Sequence, residues 1–256
     1  MVASKKKIRA DIALFERGLV ESRSKASALI MAGKVYAYEK RIEKAGELIL
    51  QTQSLTVRSP KHKWVGRGGL KLDHGLKHFE LTPKSRICLD IGSSTGGFTD
   101  VLLHYGASKV YAIDVGYGQL DSKLRNDDRV IVKERTNARY MSSEVVPESV
   151  DAIVCDASFI GLRTILPMPM KLASDGCWLV ALIKPQFEVG PKKVGKGGIV
   201  RDDSERINIY QEIYQWLSNI QGWTVIGSTE SPIKGANGNI EFLIAATYSD
   251  RISNPS

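Results

Sequence analysis

Residues 86–104 read RICLDIGSSTGGFTDVLLH, and this stretch decides the fold. Ile87–Ile91 is a short apolar run, the composition of a buried strand. Asp90–Gly97 (DIGSSTGG) follows as a glycine-rich turn, and Gly97–His104 reads as a helix. A glycine turn between strand and helix lets backbone approach a ligand closely and aims helix N–H groups at it. The spacing is G-x-x-x-G-G, which departs from the dinucleotide fingerprint, and no Lys follows the last glycine as a P-loop requires. The next strand, KVYAID, ends on Asp114, 22 residues after Gly92, where a carboxylate can accept hydrogen bonds from ribose hydroxyls. Helix or turn capping is the plain alternative for Asp90 or Asp114 taken singly. Their joint order favours a ligand pocket.

Outward from this unit the chain alternates strands and helices. Further strand candidates are Val110–Asp114, Val130–Lys133, Ala152–Cys155, Trp178–Ile183, Thr224–Gly227 and Ile240–Ala246, with a second clear helix at Asp203–Ser218. Such alternation predicts a doubly wound, mainly parallel α/β sheet. Only residues 228–239 separate the last two strands, which predicts an antiparallel hairpin at one edge.

The first third differs. Residues 1–84 hold 18 Lys and Arg against 8 Asp and Glu, a net of +10, whereas the whole chain of 256 residues has a net of +8. The remainder is therefore close to neutral, and the basic excess suggests a polyanion-binding module ahead of the sheet. Ile8, Ile12 and Phe15 recur at helical spacing up to Gly18. A second helix runs from about Ser22 to Gly33 with Ala26, Leu29 and Ile30 on one face, and short strands follow around residues 35–38, 47–50 and 54–57. Residues 59–69, rich in Pro, Gly and basic residues, read as a linker, with Trp64 expected to pack between the units. The divisions are 1–58, 59–69 and 70–256.

Composition excludes several classes. Cys88, Cys155 and Cys177 have no zinc or redox spacing, and an odd count without a secretory signal fits a reducing cytoplasm. The longest apolar run, Cys177 to Ile183, is far short of the ~20 residues that span a bilayer. His62, His74, His78 and His104 form no metal-ligand pattern, and no metal is expected.

Chemistry-bearing residues fall at strand ends. Asp156 follows strand 152–155 and Lys184 follows strand 178–183, and the carboxyl ends of parallel strands line the ligand crevice of such sheets. Glu241 lies in the last strand and Lys71 at the start of the first helix after the linker. Cys155, within an apolar strand, reads as a buried thiol rather than a nucleophile. Lys192, Lys193 and Lys196, interleaved with glycines, form a basic loop beside Lys184 that suits either closure over RNA or a plain surface loop.

These segments resemble known families. Residues 9–49, through Arg9, Asp11, Leu14, Gly18, Leu19, Ser22, Arg23, Ala26, Leu29, Ile30, Gly33, Val35 and Lys44, resemble the S4-type RNA-binding domain. That likeness implies RNA contacts by Arg9, Arg17, Arg23, Lys25 and Lys34, with Arg67 in the linker; clustered cations neutralise phosphates and read RNA shape. The glycine loop and the two acids resemble the S-adenosyl-L-methionine pocket of Rossmann-like methyltransferases. The likeness implies cofactor contacts from Asp90, Gly92, Ser93, Ser94, Thr95, Gly96, Gly97, Phe98, Asp114, Val115, Asn137 and Asp156. GRGGLKL, CDASF, IKPQFE and GNIEF around Lys71, Asp156, Lys184 and Glu241 look like the Lys-Asp-Lys-Glu tetrad of FtsJ-type RNA 2′-O-methyltransferases. Thr95 stands where that pattern usually has proline. With the S4-like module in front, the whole chain resembles the TlyA family, ERTNAR (134–139) and 184–202 included.

The resemblance implies methyl transfer to a ribose 2′-hydroxyl of rRNA, 16S and/or 23S cytidine, by a cytoplasmic protein whose partners are ribosomal subunits. Lys184 is then the base, or the group that positions the hydroxyl and stabilises the developing alkoxide. Asp156-Ala157-Ser158-Phe159 lacks the proline of base amino-methylases. Two other classes are weighed: a haemolysin, since TlyA-family members are also described so, and a non-catalytic ribosome-associated RNA-binding protein.

Overall fold

The computed structural model describes residues 6–20, 22–31, 33–38, 40–57, 62–189, 195, 198–235 and 238–250, and the chain divides into two compact units, Met1–Lys63 and Trp64–Ser256.

The smaller unit runs β1 (Lys7–Arg9), α1 (Ala10–Glu16), α2 (Arg23–Met31), β2 (Val35–Ala37), β3 (Lys40–Arg41), β4 (Leu48–Leu50) and β5 (Leu55–Val57). β1 pairs antiparallel with β4, and β2 lies between β3 and β5. Ile8 does not open the first helix: it pairs with Ile49 across the β1–β4 ribbon, a contact that overrides the local period. The helix therefore turns Ala10, Ala13 and Leu14 inward and leaves Phe15 46 % exposed. In α2, Ala26 and Ile30 are buried, as their spacing predicts, against Leu14, Val35, Ile42 and Ile49.

The larger unit is built on β6 (Ile87–Ile91), β7 (Lys109–Ile113), β8 (Val130–Lys133), β9 (Val150–Cys155), β10 (Ala173–Ile183), β11 (Trp223–Glu230) and β12 (Phe242–Tyr248). They form one sheet in the order β11-β12-β10-β9-β6-β7-β8. All pairings from β10 to β8 are parallel, and β12 is antiparallel to both of its neighbours. The helices are α3 (Gly68–His78), α4 (Gly97–His104), α5 (Ser122–Arg125), α6 (Leu162–Ile165), α7 (Pro167–Met170), α8 (Pro185–Glu188) and α9 (Asp203–Ser218).

Period-two burial splits the core into two layers. On one face Leu89, Ile153, Leu179 and Ile244 pack under Ile209, Ile213 and Leu217 of α9. On the other, Cys88, Val154, Val180 and Leu243 pack under Leu72 and Leu76 of α3 and Val101 and Leu102 of α4. Trp64 belongs to this second layer of the larger unit, at 4 % exposure. It fits because Gly69 has no side chain: a Cβ there would lie 2.6 Å from the Trp64 Cβ. Gly68 and Gly69, read as linker from composition, are the first turn of α3.

The glycine loop carries two constraints. Gly96, with φ of +96°, caps α4 in the left-handed region, and a Cβ there would overlap the Leu124 side chain. Asp90, wholly buried in β6, accepts from Thr99 Oγ1 at 2.6 Å through one oxygen, while its other oxygen has no partner among the described residues. Burial pushes this carboxyl up to about 7, opposed by the Thr99 hydrogen bond and assisted by the charges of Asp156 and Asp114.

Two outcomes follow in unfolding experiments. Gly96→Ala, strained and overpacked, lowers stability by about 2 kcal/mol, roughly 6 °C in Tm, whereas Gly18→Ala, left-handed but with open space around it, costs only about 1 kcal/mol. Asp90 binds its proton more tightly folded than unfolded, so its contribution to stability falls as pH rises from about 4 to about 7. Asp90→Asn should therefore resist urea better than the parent at pH 8, with the two converging near pH 4. A gap that does not change with pH would assign the effect to packing.

Candidate active site

Strand register alone gathers the chemistry. Ile91 pairs with Cys155 and Ala181 with Cys155, so Gly92 and Asp156 leave neighbouring strands side by side. Ile183 pairs with Phe242 across the antiparallel β10–β12 ladder. The next position outward on each strand is Lys184 and Glu241, on the same edge of the sheet because β12 runs the opposite way. Lys71 arrives from above, on the first turn of α3. That helix sits low because its start meets the start of α4 glycine to glycine: a Cβ at Gly97 would lie 2.9 Å from the Gly69 nitrogen.

The four side chains form an alternating chain of charge. Lys184 Nζ lies 2.6 Å from Asp156 Oδ1; Asp156 Oδ2 lies 3.5 Å from Lys71 Nζ; Lys71 Nζ donates to Glu241 Oε2 at 2.8 Å. Lys71, Lys184 and Glu241 are buried, and Asp156 is nearly so. Lys184 also donates to the Asp156 backbone oxygen at 3.0 Å and to Ser158 Oγ at 2.8 Å. The chain floors a cleft of about 490 Å³ whose walls include Ser93, Thr95, Gly97, Phe98 and Asn239.

A second cleft of similar volume adjoins it, and the two share Gly92, Ser94, Asp156, Ser158 and Phe159. Asp114, Val115 and Asn137 line this second cleft. Asp114 accepts from the Ser94 N–H at 2.8 Å and from the Gly116 N–H at 2.7 Å, so it shapes the turn as the capping alternative required. Each carboxylate oxygen keeps acceptor capacity beyond those bonds. Asn137 caps the following turn by accepting from the Arg139 N–H. Ile91, Ile113, Ala138 and Ile165 supply an apolar wall. Asp90 and Gly96 are not part of either wall; they lie beneath the loop and hold its shape.

The basic candidates are more divided. Arg9 grips Asp11 through two nitrogens, at 2.9 and 3.0 Å, and holds that carboxyl down to about 2. Arg23 reaches the same carboxylate at 3.3 Å. Arg17 donates to the backbone oxygens of Gln51 and Gln53, clamping the β4–β5 turn. These three have structural duties, whereas Lys25 and Lys34 make no ion pair among the described residues. Arg67, in the larger unit, donates to the Lys234 oxygen at 3.2 Å. Lys192, Lys193 and Lys196 lie outside the described residues.

Sequence reading missed Ser158, Gln186 and the Phe159–Phe187 pair. Gln186 Nε2 lies 3.5 Å from Glu241 Oε1. Phe159 is 89 % exposed, with its ring 5.1 Å from that of Phe187. The available signal was proximity to Asp156 and Lys184 in the chain.

Comparison with known proteins gives the family. The pattern of the FtsJ-like methyltransferases matches residues 64–248. A Bacillus subtilis protein with the provisional name rRNA methyltransferase YqxC is 48 % identical over 93 % of this chain and 85 % of its own length. The 16S/23S rRNA (cytidine-2′-O)-methyltransferase TlyA of Mycobacterium tuberculosis is 44 % identical over 96 % of this chain and 92 % of its own. A solved structure from Streptococcus thermophilus, with the provisional name hemolysin, has a TM-score of 0.74 at 41 % identity, covering 96 % of this chain and 90 % of that one. A match across the whole sheet unit, together with relatives alike over nearly the full length, assigns the chain to the FtsJ-like methyltransferase family.

Proposed function

We propose that this chain transfers the methyl group of S-adenosyl-L-methionine to a ribose 2′-hydroxyl of rRNA, at cytidine of the 16S and/or 23S molecule, with ribosomal subunits in the cytoplasm as its partners. The observation that carries this reading is the buried Lys184–Asp156–Lys71–Glu241 chain flooring one cleft while Asp114 lines its neighbour.

The second cleft fits the cofactor. Its aliphatic wall suits a purine, and the Asp114 carboxylate suits ribose hydroxyls. When bound, the cofactor supplies an electrophilic methyl on a sulfonium; everything else is the protein's work. Asp156 and Lys71 fix Lys184 against the floor of the first cleft, and Lys184 faces the hydroxyl whose proton must leave. Glu241 balances Lys71. Methylation at a pyrimidine carbon would require a thiolate, yet burial pushes Cys155 and Cys177 up to about 12 and raises Cys88 as well, so the thiols stay protonated. Exposed Phe159 beside Phe187 suits stacking on an unpaired base. We infer that the smaller unit is an S4-like RNA anchor, with Lys25 and Lys34 among its cations that make no ion pair within the described residues. The haemolysin reading rests on a relative's name; among the described residues no helix is long and apolar enough to cross a membrane.

The chemistry is tested by alkali, which cleaves RNA only where a free 2′-hydroxyl can attack phosphate. rRNA incubated with protein and cofactor should show one protected position in the ladder, and label recovered on a base would sink the assignment. Lys184→Ala should slow single-turnover transfer by about 10²-fold or more while cofactor affinity stays within a few-fold. Asp114→Ala should instead weaken cofactor binding first, by roughly tenfold or more, the worth of a charged hydrogen bond. Lys25→Ala and Lys34→Ala should each weaken rRNA binding and reduce the salt slope by about 1. Unchanged slopes would remove the smaller unit's lysines from the RNA interface.

A further inference from the structure

The surroundings of Lys184 contain an asymmetry that the four-residue chain does not use. A lysine ammonium has three N–H donors. Two hydrogen bonds are made, to the Asp156 backbone oxygen at 3.0 Å and to Ser158 Oγ at 2.8 Å, while Asp156 Oδ1 lies 2.6 Å from Nζ as an ion-pair contact outside hydrogen-bond alignment. The carboxylate and the carbonyl can only accept. The serine hydroxyl can also donate.

This difference fixes where a neutral amine would aim its lone pair. With two N–H groups remaining, one stays on the Asp156 backbone oxygen, and neither that oxygen nor the nearby carboxylate has anything to offer a lone pair. Among the hydrogen-bond partners of Lys184 in the described residues, Ser158 Oγ–H alone can donate, so it is the group at hand for the lone pair. Ser158 is itself exposed and lines both clefts, at the seam where a hydroxyl from one side would meet a methyl from the other. Its loop is held firmly. Asp156 donates its N–H to the Ile91 oxygen at 3.1 Å, and Phe159 takes a φ of +67°, a conformation that a non-glycine residue keeps only when its surroundings impose it.

We propose that Ser158 is a catalytic residue that relays the proton of the ribose hydroxyl to Lys184. The proposal rests on the 2′-O reading above. The O2′–H bond breaks and its proton passes to Ser158 Oγ, while the proton already on Ser158 passes to Lys184 Nζ. The 2′-oxygen bonds to the methyl carbon as the carbon–sulfur bond of the sulfonium donor breaks, its electron pair remaining on sulfur. The positive charge of the donor ends on Lys184, beside the Asp156 carboxylate at 2.6 Å. Release of that proton to water, back through Ser158, resets the site.

The test is single-turnover methylation of rRNA by the full chain, with cofactor affinity measured in parallel. Ser158→Ala should slow transfer by about 10²-fold or more with cofactor binding within twofold, and Ser158→Thr, which keeps the hydroxyl, should recover most of the rate. In mixtures of light and heavy water the parent rate should bend with deuterium fraction, as two protons in flight require, and the Ser158→Ala rate should vary linearly. Several results would overturn the relay: Ser158→Ala at or above the parent rate, which would mean that the substrate hydroxyl simply takes the serine's place; a linear response in the parent; or loss of cofactor binding in step with rate. A parent protein that leaves no alkali-resistant position fails at the earlier step and brings down both readings.

Discussion

Four ionised side chains on the floor of one cleft would be ruinous if they were not interleaved by sign. A buried charge costs several kcal/mol in lost hydration, and removing one member of a buried pair strands its partner at about 3–5 kcal/mol. Lys184, Asp156, Lys71 and Glu241 avoid this by alternating, each cation touching a carboxylate at 2.6 to 3.5 Å. The rest of the larger unit is arranged so that this sequence of signs can close. Two members leave parallel strands at their carboxyl ends, one enters an antiparallel strand at its beginning, and one descends from a helix.

Each delivery has its own packing requirement. The helix with Lys71 approaches only because glycine meets glycine where α3 and α4 begin. Asp156 and Lys184 are held by strands buried on both faces, whose side chains interlock with α3 and α4 on one side and α9 on the other. Rigid supporting layers are what fix reacting groups to within a fraction of an ångström. Beneath the glycine loop, Asp90 contributes no wall to either cleft, yet its bond to Thr99 ties the strand to the helix that the loop connects.

Much of this was legible in the sequence, for identifiable reasons. Gly97–His104 and Asp203–Ser218 have the observed bounds because cap and period agree there. The hairpin edge followed from a connection without helical pattern, and Asp156 and Lys184 from the rule that strand ends line the crevice. What escaped was set by contacts between distant segments. Ile8 became a strand because Ile49 is opposite it, and Gly68–Gly69 became helix because Trp64 and Gly97 need the space. Composition can mark glycine as a breaker but does not say what fills the space beside it. Ser158 was visible in CDASF yet had no period or spacing to single it out; only its distance to Lys184 does so.

The strand order has a consequence for how the protein comes into being. β12 is the last strand in the chain but lies between β10 and β11, so β11, though made earlier, has no place in the sheet until β12 inserts. The same insertion brings Glu241 to Lys71, residues 170 positions apart. Contacts of such long range close late, after most of the loop entropy has been spent. A nascent chain can thus assemble the glycine loop and the Lys184–Asp156 pair while Lys71 has only the more distant Asp156 for a counter-ion and still lacks Glu241. One segment at the sheet's far edge completes both the hydrogen-bond ladder and the charge balance.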